Sequence, residues 1–492
     1  MKYKNANEIY NMLKFTRLDE KNIFEIKEYL TEYGGEFCDI SVGVKFMWRD
    51  DFKIDYAVYN NTLIMKETSP EYQNAFYYPL GQDVDGALEQ IEKYTKENFI
   101  PLKFCCIDNL TTEQFVNRYH AVHIENDRAW SDYIYDAEKF KTYSGKKFSG
   151  QRNHVNKFTK LYPNYKFKVI ERSDFSRIKE FLDEFNSKLE FLRWTEEAEQ
   201  QKVFELVENM FELGQVGGLI EIDGKVVAFS IGEKIKDTLI VHIEKALTKY
   251  EGVYPTMAKE FAIHFADGPI KFINREEDCG DDGLRISKLQ YKPIDIKEKN
   301  FVCVKTLFDK ICPPINISTH QLTISDHTES DKVDYYNLYM DDELNKWWGY
   351  DYREDLGKNQ PSPDYFFEFQ NALKEKKEEY SLLVKLSGST VDNKDCEECQ
   401  NSTVIGELVL HNFDYFGGVE IGFRFFNNFQ KKGYATVSAK ALIDYAFSTL
   451  GATTVKTRCF KQNTPSFNLI SRLGFSLAYQ NDTHYFFEQK KQ

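Results

Sequence analysis

Residues 417–451 read GGVEIGFRFFNNFQKKGYATVSAKALIDYAFSTLG. The first part alternates as a strand does, with Val419, Ile421, Phe423 and Phe425 on one side. The last part has helical spacing, through Ala435, Ala439, Leu442, Ile443, Ala446, Phe447 and Leu450, and stops at Gly451. Between them lies the turn Gln430-Lys431-Lys432-Gly433-Tyr434-Ala435. A tight turn running into a helix N-terminus leaves several backbone N–H groups aimed at one point, beside the positive end of the helix dipole. Gly433 lets the backbone approach an anion closely, and the small Ala435 leaves room at the first helical turn. Such a turn suits a pyrophosphate.

Gln-x-x-Gly-x-Ala resembles the pyrophosphate loop, Arg/Gln-x-x-Gly-x-Gly/Ala, of the GNAT acetyltransferases. Downstream, Asn463-Thr464-Pro465-Ser466 followed by Phe467 to Arg472 and Leu473-Gly474-Phe475 is similar to that family's second signature. There Thr464 reads as an N-cap, Pro465 as the first helical residue and Gly474 as the residue past the end. The Ser in this signature and the stretch DYYNLYMDDELNKWWGY resemble the branch acting on ribosomal-protein N-termini, and also aminoglycoside acetyltransferases.

The resemblance implies a GNAT N-acetyltransferase domain over residues 318–492, with acetyl-CoA as co-substrate. On that reading Gln430 opens the turn, and the amides of Lys431, Lys432, Gly433, Tyr434, Ala435 and Thr436 hold the pyrophosphate. Phe423, Arg424 and Phe425 pair through their backbone with the pantetheine arm, and Asn463 and Ser466 touch the cofactor. A neutral amine attacks the thioester, so one proton must leave the amine and one must reach the thiolate. Glu420 is the first candidate for general base and Glu407, in IGELVL, the second. Each reads equally well as a carboxylate on the solvated side of a sheet. The position where many relatives carry an acidic Tyr is Ile470, which leaves Ser466, Tyr434 or solvent as the acid. No metal ligand set is expected.

The same strand-and-helix order recurs three times along the chain. In the first pass DYAVY and TLIMK flank the turn Asn60-Asn61. FYYPLG, a helix over 86–94, the strand PLKFCCI, a helix from Thr111 and the strand AVHI follow. In the second, helices over 175–189 and 196–213 precede the meander GLIEI, VVAFSIG and LIVHIEKA, then a helix over 256–265 and the strand KFINR. CPPINISTH reads as a linker. The expected fold class is α/β (α+β): three GNAT-like units with mixed, mostly antiparallel sheets flanked by helices, over residues 1–135, 136–310 and 318–492.

The first 300 residues resemble the C-terminal, soluble domain of phosphatidylglycerol lysyltransferases. FYYPLG, YIYDAEKFKTYSGKKFSGQRNHVNKF, GGLIEIDGKVVAFSIGE, VHIEKA and INREEDCGDDGLRISKLQYKP carry the likeness. It implies a tandem of two GNAT-like folds that moves an aminoacyl group from charged tRNA, or a non-catalytic module that binds the acceptor. Lys249-Tyr250-Glu251-Gly252-Val253-Tyr254 stands where the cofactor loop would be, but Glu251 would repel a phosphate. The run Lys139, Lys141, Lys146, Lys147, Arg152, His154, Lys157 and Lys160 reads as a tRNA contact or as a solvated helix face. Arg275-Glu276-Glu277-Asp278, Arg285 and Lys288, with His242 and Glu244 two apart on a neighbouring strand, read as a site or as an internal ion-pair network.

A net charge of -14 argues against broad nucleic-acid binding, and no DNA partner is expected. Nine cysteines form no disulfide framework. No signal peptide or membrane span is read, so the protein is expected in the cytoplasm, acting on an amine-bearing acceptor: a protein N-terminus, an amino sugar or a small metabolite. Cys396 and Cys399 lie in a polar insertion and read as a flexible loop, since zinc needs about four ligands.

Overall fold

The structure is a computed structural model and describes residues 13–35, 37–68, 74–187, 194–349, 351, 353, 361–387 and 403–491. Cys396 and Cys399 lie outside the described residues. Among the described residues the strands form three mixed sheets, of eight, seven and eight strands, each flanked by helices. The described residues fall into two compact units, one from 13–113 and 124–303, the other from 114–123 and 304–491.

In the first sheet, Asp55–Tyr59 and Thr62–Glu67 form the expected hairpin. Asn60 and Asn61 both take positive φ, 46° and 54°, as a tight two-residue hairpin turn requires. A strand that the reading of the first pass does not include, Asn300–Lys305, returns to this sheet and pairs antiparallel with Lys103–Ile107. Asp132–Asp136 belongs to the second sheet, against Phe272–Asn274.

The second and third sheets share one feature that decides where a ligand can enter. Thr238–Ala246 runs parallel to Phe272–Asn274 for three pairs only, Thr238 to Phe272, Leu239 to Ile273 and Ile240 to Asn274. In the third sheet Gly418–Phe425 runs parallel to Thr454–Phe460 for three pairs only, Gly418 to Thr454, Val419 to Val455 and Glu420 to Lys456. On its other edge Gly418–Phe425 keeps its antiparallel ladder with Val404–His411 up to Phe425. The parallel edges therefore part into a wedge after Glu420 and after Ile240.

Sequence periodicity explains the packing beneath the third wedge. Val419, Ile421 and Phe425 are buried in one cluster with Leu442, Ile443 and Ala446 of the helix Tyr434–Ser448. Each such side chain contributes roughly 1.5–3 kcal/mol by leaving water. Where a linker is expected, Asn316–Ser318 instead pairs with Leu322–Ser325, because Ile317 falls opposite Ile324 and extends the apolar row.

Candidate active site

The turn before the helix Tyr434–Ser448 is built by three local devices. A short helical turn over Asn427–Phe429 ends the strand, and Lys431 takes φ 59°. The Gln430 amide reaches back to the Phe425 carbonyl at 2.8 Å and to the Asn427 side chain at 2.9 Å. Gly433 is the residue before the helix, at φ 87°, and no heavy atom lies within 4 Å of where a Cβ would stand. The Gly433 carbonyl takes the Thr436 and Val437 amides. Among the described residues, the amides of Lys431 to Ala435 donate to no protein acceptor. Lys431, Lys432 and Gly433 are exposed, and Tyr434 and Ala435 half-buried. The turn is an open cradle of N–H groups at a helix N-terminus, next to the wedge.

The equivalent turn in the other unit has the same backbone in different surroundings. Gly252 precedes the helix Val253–Phe265 at φ 84°. A Cβ there would overlap the His154 carbonyl oxygen, because the helix Ser149–Leu161 packs directly on it. Glu251 is tied to Lys157 at 2.5 Å. The His154 carbonyl fills the side of Gly252 where a Cβ would stand, and the turn, which carries a carboxylate, lines a large cavity of this unit.

At the mouth of the third wedge Glu420 is the last residue paired to Thr454–Phe460. Its carboxylate accepts from Asn412 Nδ2 at 2.8 Å and lies 3.3 Å from the Arg458 Nε and 3.9 Å from the His411 Nε2. Burial holds the His411 imidazole below its ordinary range, so it stays neutral beside the carboxylate. Trp348 covers Gly422, two residues on, at 2.9 Å from a Cβ position. Trp347 packs edge-on to Phe460, which lies against His484 at 4.1 Å.

Glu407 lies elsewhere. It is fully buried, accepts from the Arg424 Nε at 2.7 Å, from the Tyr335 hydroxyl at 3.0 Å and from the Ser381 hydroxyl, and lies 2.6 Å from the Arg424 Nη2. The Arg424 guanidinium is stacked between Tyr339 and Trp348 and also reaches Asn345 at 3.3 Å. Only the backbones of Phe423, Arg424 and Phe425 face the wedge edge, past the last parallel pair.

In the second signature the cap is Asn463 rather than Thr464. The Asn463 Oδ1 accepts the Ser466 amide at 3.2 Å, which leaves Thr464 and Pro465 as the opening helical residues. Ser466 is half-buried, and Ile470, in the place of the Tyr of many relatives, is sealed in the core.

The unit of residues 13–113 and 124–303 holds a cavity of about 1200 Å³. It opens at the second wedge, so the strand-end charges read from the sequence do come together there. The Arg275 guanidinium meets Glu244 at 2.7 Å, and Asp278, fully buried, takes Arg285 at 2.9 Å and Arg128 at 3.2 Å. Lys288 is buried and donates to the Arg275 and Glu277 carbonyls. The basic run is largely engaged locally: Lys139 with Asp136, Lys141 with Glu138, Lys157 with Glu251, and Arg152 with the Tyr143 and Gly145 carbonyls. Lys146, Lys147 and Lys160 remain exposed.

Two buried centres of this cavity join these strand-end charges to residues that the sequence did not single out. In one, the Lys299 ammonium sits among Asp39, Asp132 (2.7 Å) and Glu277, with the Cys38 thiol at 3.4 Å. Burial opposes the charge on Lys299, but the carboxylates outweigh it and hold its pKa well above the ordinary value. Burial raises Glu277 to about 7 in spite of Lys299. In the other, His242 lies 2.7 Å from Glu276 and 3.4 Å from Glu233, which also takes the Val42 and Gly43 amides at 3.0 and 2.8 Å.

Burial disfavours the imidazolium, yet the two carboxylates raise His242 to about 9, from 6.5. A pKa raised on folding gives stability that is complete below pH 6.5 and lost as pH rises through about 9. The unit should therefore lose up to roughly 3 kcal/mol across that window. Thermal melting followed from pH 6.5 to 9 is expected to fall in the native protein and to stay nearly flat in His242→Gln. An equal slope in both would assign the loss to other groups.

A family model described as phosphatidylglycerol lysyltransferase, C-terminal, matches residues 36–304, and one described as acetyltransferase (GNAT) domain matches residues 321–476. A crystal structure of a conserved protein of unknown function from Bacteroides thetaiotaomicron is 29% identical, with a TM-score of 0.55, and covers 60% of this chain and 100% of its own. An uncharacterised protein of Mycoplasmoides gallisepticum is 23% identical over 242 residues, 46% of this chain and 70% of its own length. An uncharacterised N-acetyltransferase of Bacillus subtilis is 34% identical over 80 residues, 16% of this chain and 44% of its own length. No helix among the described residues is long and apolar enough to cross a membrane. The wedge that two of the sheets share, and the open turn before Tyr434–Ser448, fit these matches: the chain belongs to the phosphatidylglycerol lysyltransferase C-terminal family and carries a GNAT acetyltransferase domain in its last third.

Proposed function

We propose that the GNAT domain is an acetyl-CoA-dependent N-acetyltransferase that acylates a primary amine. The observation that carries this reading is the empty cradle at Lys431 to Ala435, at the edge where Phe423 to Phe425 leave their parallel partner. The diphosphate lies on the amides, the pantetheine arm adds to the free strand edge, and the thioester reaches the wedge beside Glu420.

The amine nitrogen attacks the thioester carbonyl, a C–N bond forms and the C–S bond breaks. Glu420, positioned by Asn412 and Arg458, takes the proton from the amine. The thiolate is protonated by Tyr434, Ser466 or solvent. Glu407 serves by fixing Arg424, and through it Tyr339 and Trp348, against the acceptor side of the sheet. Release of free thiol by the full chain, with acetyl-CoA and a panel of primary amines, tests the reading. Glu420→Gln is expected to lower kcat by about 10²–10⁴-fold with acetyl-CoA affinity kept. Unchanged turnover in that variant would remove Glu420 from the chemistry.

A further inference from the structure

The surroundings of Glu420 bear on which amine is accepted, an inference that rests on the acetyltransferase reading. Among the described residues Arg458 is the cation in contact with Glu420, at 3.3 Å. Lys456, the register partner of Glu420, is turned to Asp414 at 2.7 Å. Two imidazoles face the same carboxylate, and neither adds charge. Burial keeps His411 neutral, and burial followed by the Arg458 guanidinium does the same for His484. Arg458 is about half exposed, 49%, whereas Glu420 is 14% exposed. One partner is therefore fixed and the other free to swing. Beyond them Trp347, Phe460 and His484 form a continuous aromatic wall.

We infer that the acceptor is a free α-amino acid with an apolar or aromatic side chain. Its ammonium replaces Arg458 on Glu420, its α-carboxylate takes the Arg458 guanidinium, and its side chain lies along Trp347 and Phe460. The two charges of such a zwitterion are separated by two bonds from a shared carbon, close to the spacing of the pair they divide. An acceptor with an ammonium alone would have to displace Arg458 and leave it uncompensated.

The exchange also orders the chemistry: once the acceptor carboxylate claims the guanidinium, Glu420 faces the amine it must deprotonate. The ammonium gives one proton to Glu420 on becoming a nucleophile. The nitrogen gives its second as the tetrahedral adduct collapses, and the products are the N-acetylamino acid, the free thiol of coenzyme A and one released proton.

The test is thiol release by the full chain with acetyl-CoA and either L-phenylalanine or L-phenylalanine amide, which has the same amine and ring without the carboxylate. A charge-assisted contact of the kind proposed corresponds to about 10–100-fold in kcat/KM in favour of the acid. Arg458→Gln is expected to collapse that acid-over-amide ratio toward one, and Arg458→Lys to restore part of it. A merely structural arginine would lower both substrates together and leave the ratio intact. An amide acetylated as well as the acid overturns the zwitterion and leaves the acetyltransferase standing. Acetylation of other amines with neither of these also overturns it, and failure to bind acetyl-CoA removes the reading beneath it.

Discussion

Replacing Gly433 by Glu is expected to abolish acetyl-CoA binding to the full chain, with at least about a 100-fold loss in affinity by calorimetric titration. Two costs combine. A left-handed φ of 87° costs a side-chain-bearing residue about 1–2 kcal/mol. The larger one is a carboxylate placed where the N–H groups and helix dipole otherwise face a diphosphate. Gly433→Ala separates them, because no atom lies within 4 Å of the added Cβ. It bears the strain alone and should lose about tenfold or less. The native chain should bind one acetyl-CoA, because the Gly252 turn presents Glu251 where the Gly433 turn presents Lys432. Two equivalents bound, or full affinity in Gly433→Glu, would falsify the assignment of the cradle.

That pair of glycines also shows how far the sequence could be read. The strand, turn and helix of residues 417–451 are local, and period and punctuation locate them; the structure adds that Gly433 and Gly252 both stand at positive φ directly before a helix. What packs on Gly252 depends on the helix Ser149–Leu161, about a hundred positions before it, and no local pattern reports it. Glu251, read as repelling a phosphate, forms an ion pair with Lys157. The wedge at Glu420 was foreshadowed only through family resemblance. Alternation placed Glu407 and Glu420 on the same face of neighbouring strands. It could not say that Arg424 would bury the first in an ion pair while the second stays at the edge.

The strand-end cluster Arg275 to Asp278 was legible because charges directly after a buried strand must find partners or water. Their partners were legible only where they lay two residues apart on one strand, as His242 and Glu244 do. Cys38 with Asp39, Asp132 and Lys299 come from three separate stretches, each unremarkable in its own neighbourhood. Composition gives such residues to the surface, and the fold overrules it by carrying the strand Asn300–Lys305 back into the first sheet.

Lys299→Ala carries the largest expected effect on stability. The ammonium is 5% exposed and is the counter-ion of Asp39, Asp132 and Glu277 at once. Removing one partner of a buried pair leaves uncompensated charge at a cost of about 3–5 kcal/mol. In a unit of this size that lowers the melting midpoint by roughly 10 °C or more. Lys225→Ala, which breaks an ion pair with Glu184 at a half-exposed position, should cost under about 1 kcal/mol. The loss in Lys299→Ala should narrow as pH falls from 8 to 5, because Glu277, already raised to about 7 in the native protein, takes up its proton more readily once the ammonium is gone. Adding Glu277→Gln to Lys299→Ala should recover part of the loss at pH 8 and little at pH 5. A variant that melts within a degree or two of the native chain at pH 8 would mean that water, and not Lys299, balances these carboxylates. In that case the cavity is wetter than its walls indicate, and the same measurement on Lys288→Ala would separate a solvated cluster from a truly enclosed one, since Lys288 donates only to carbonyls.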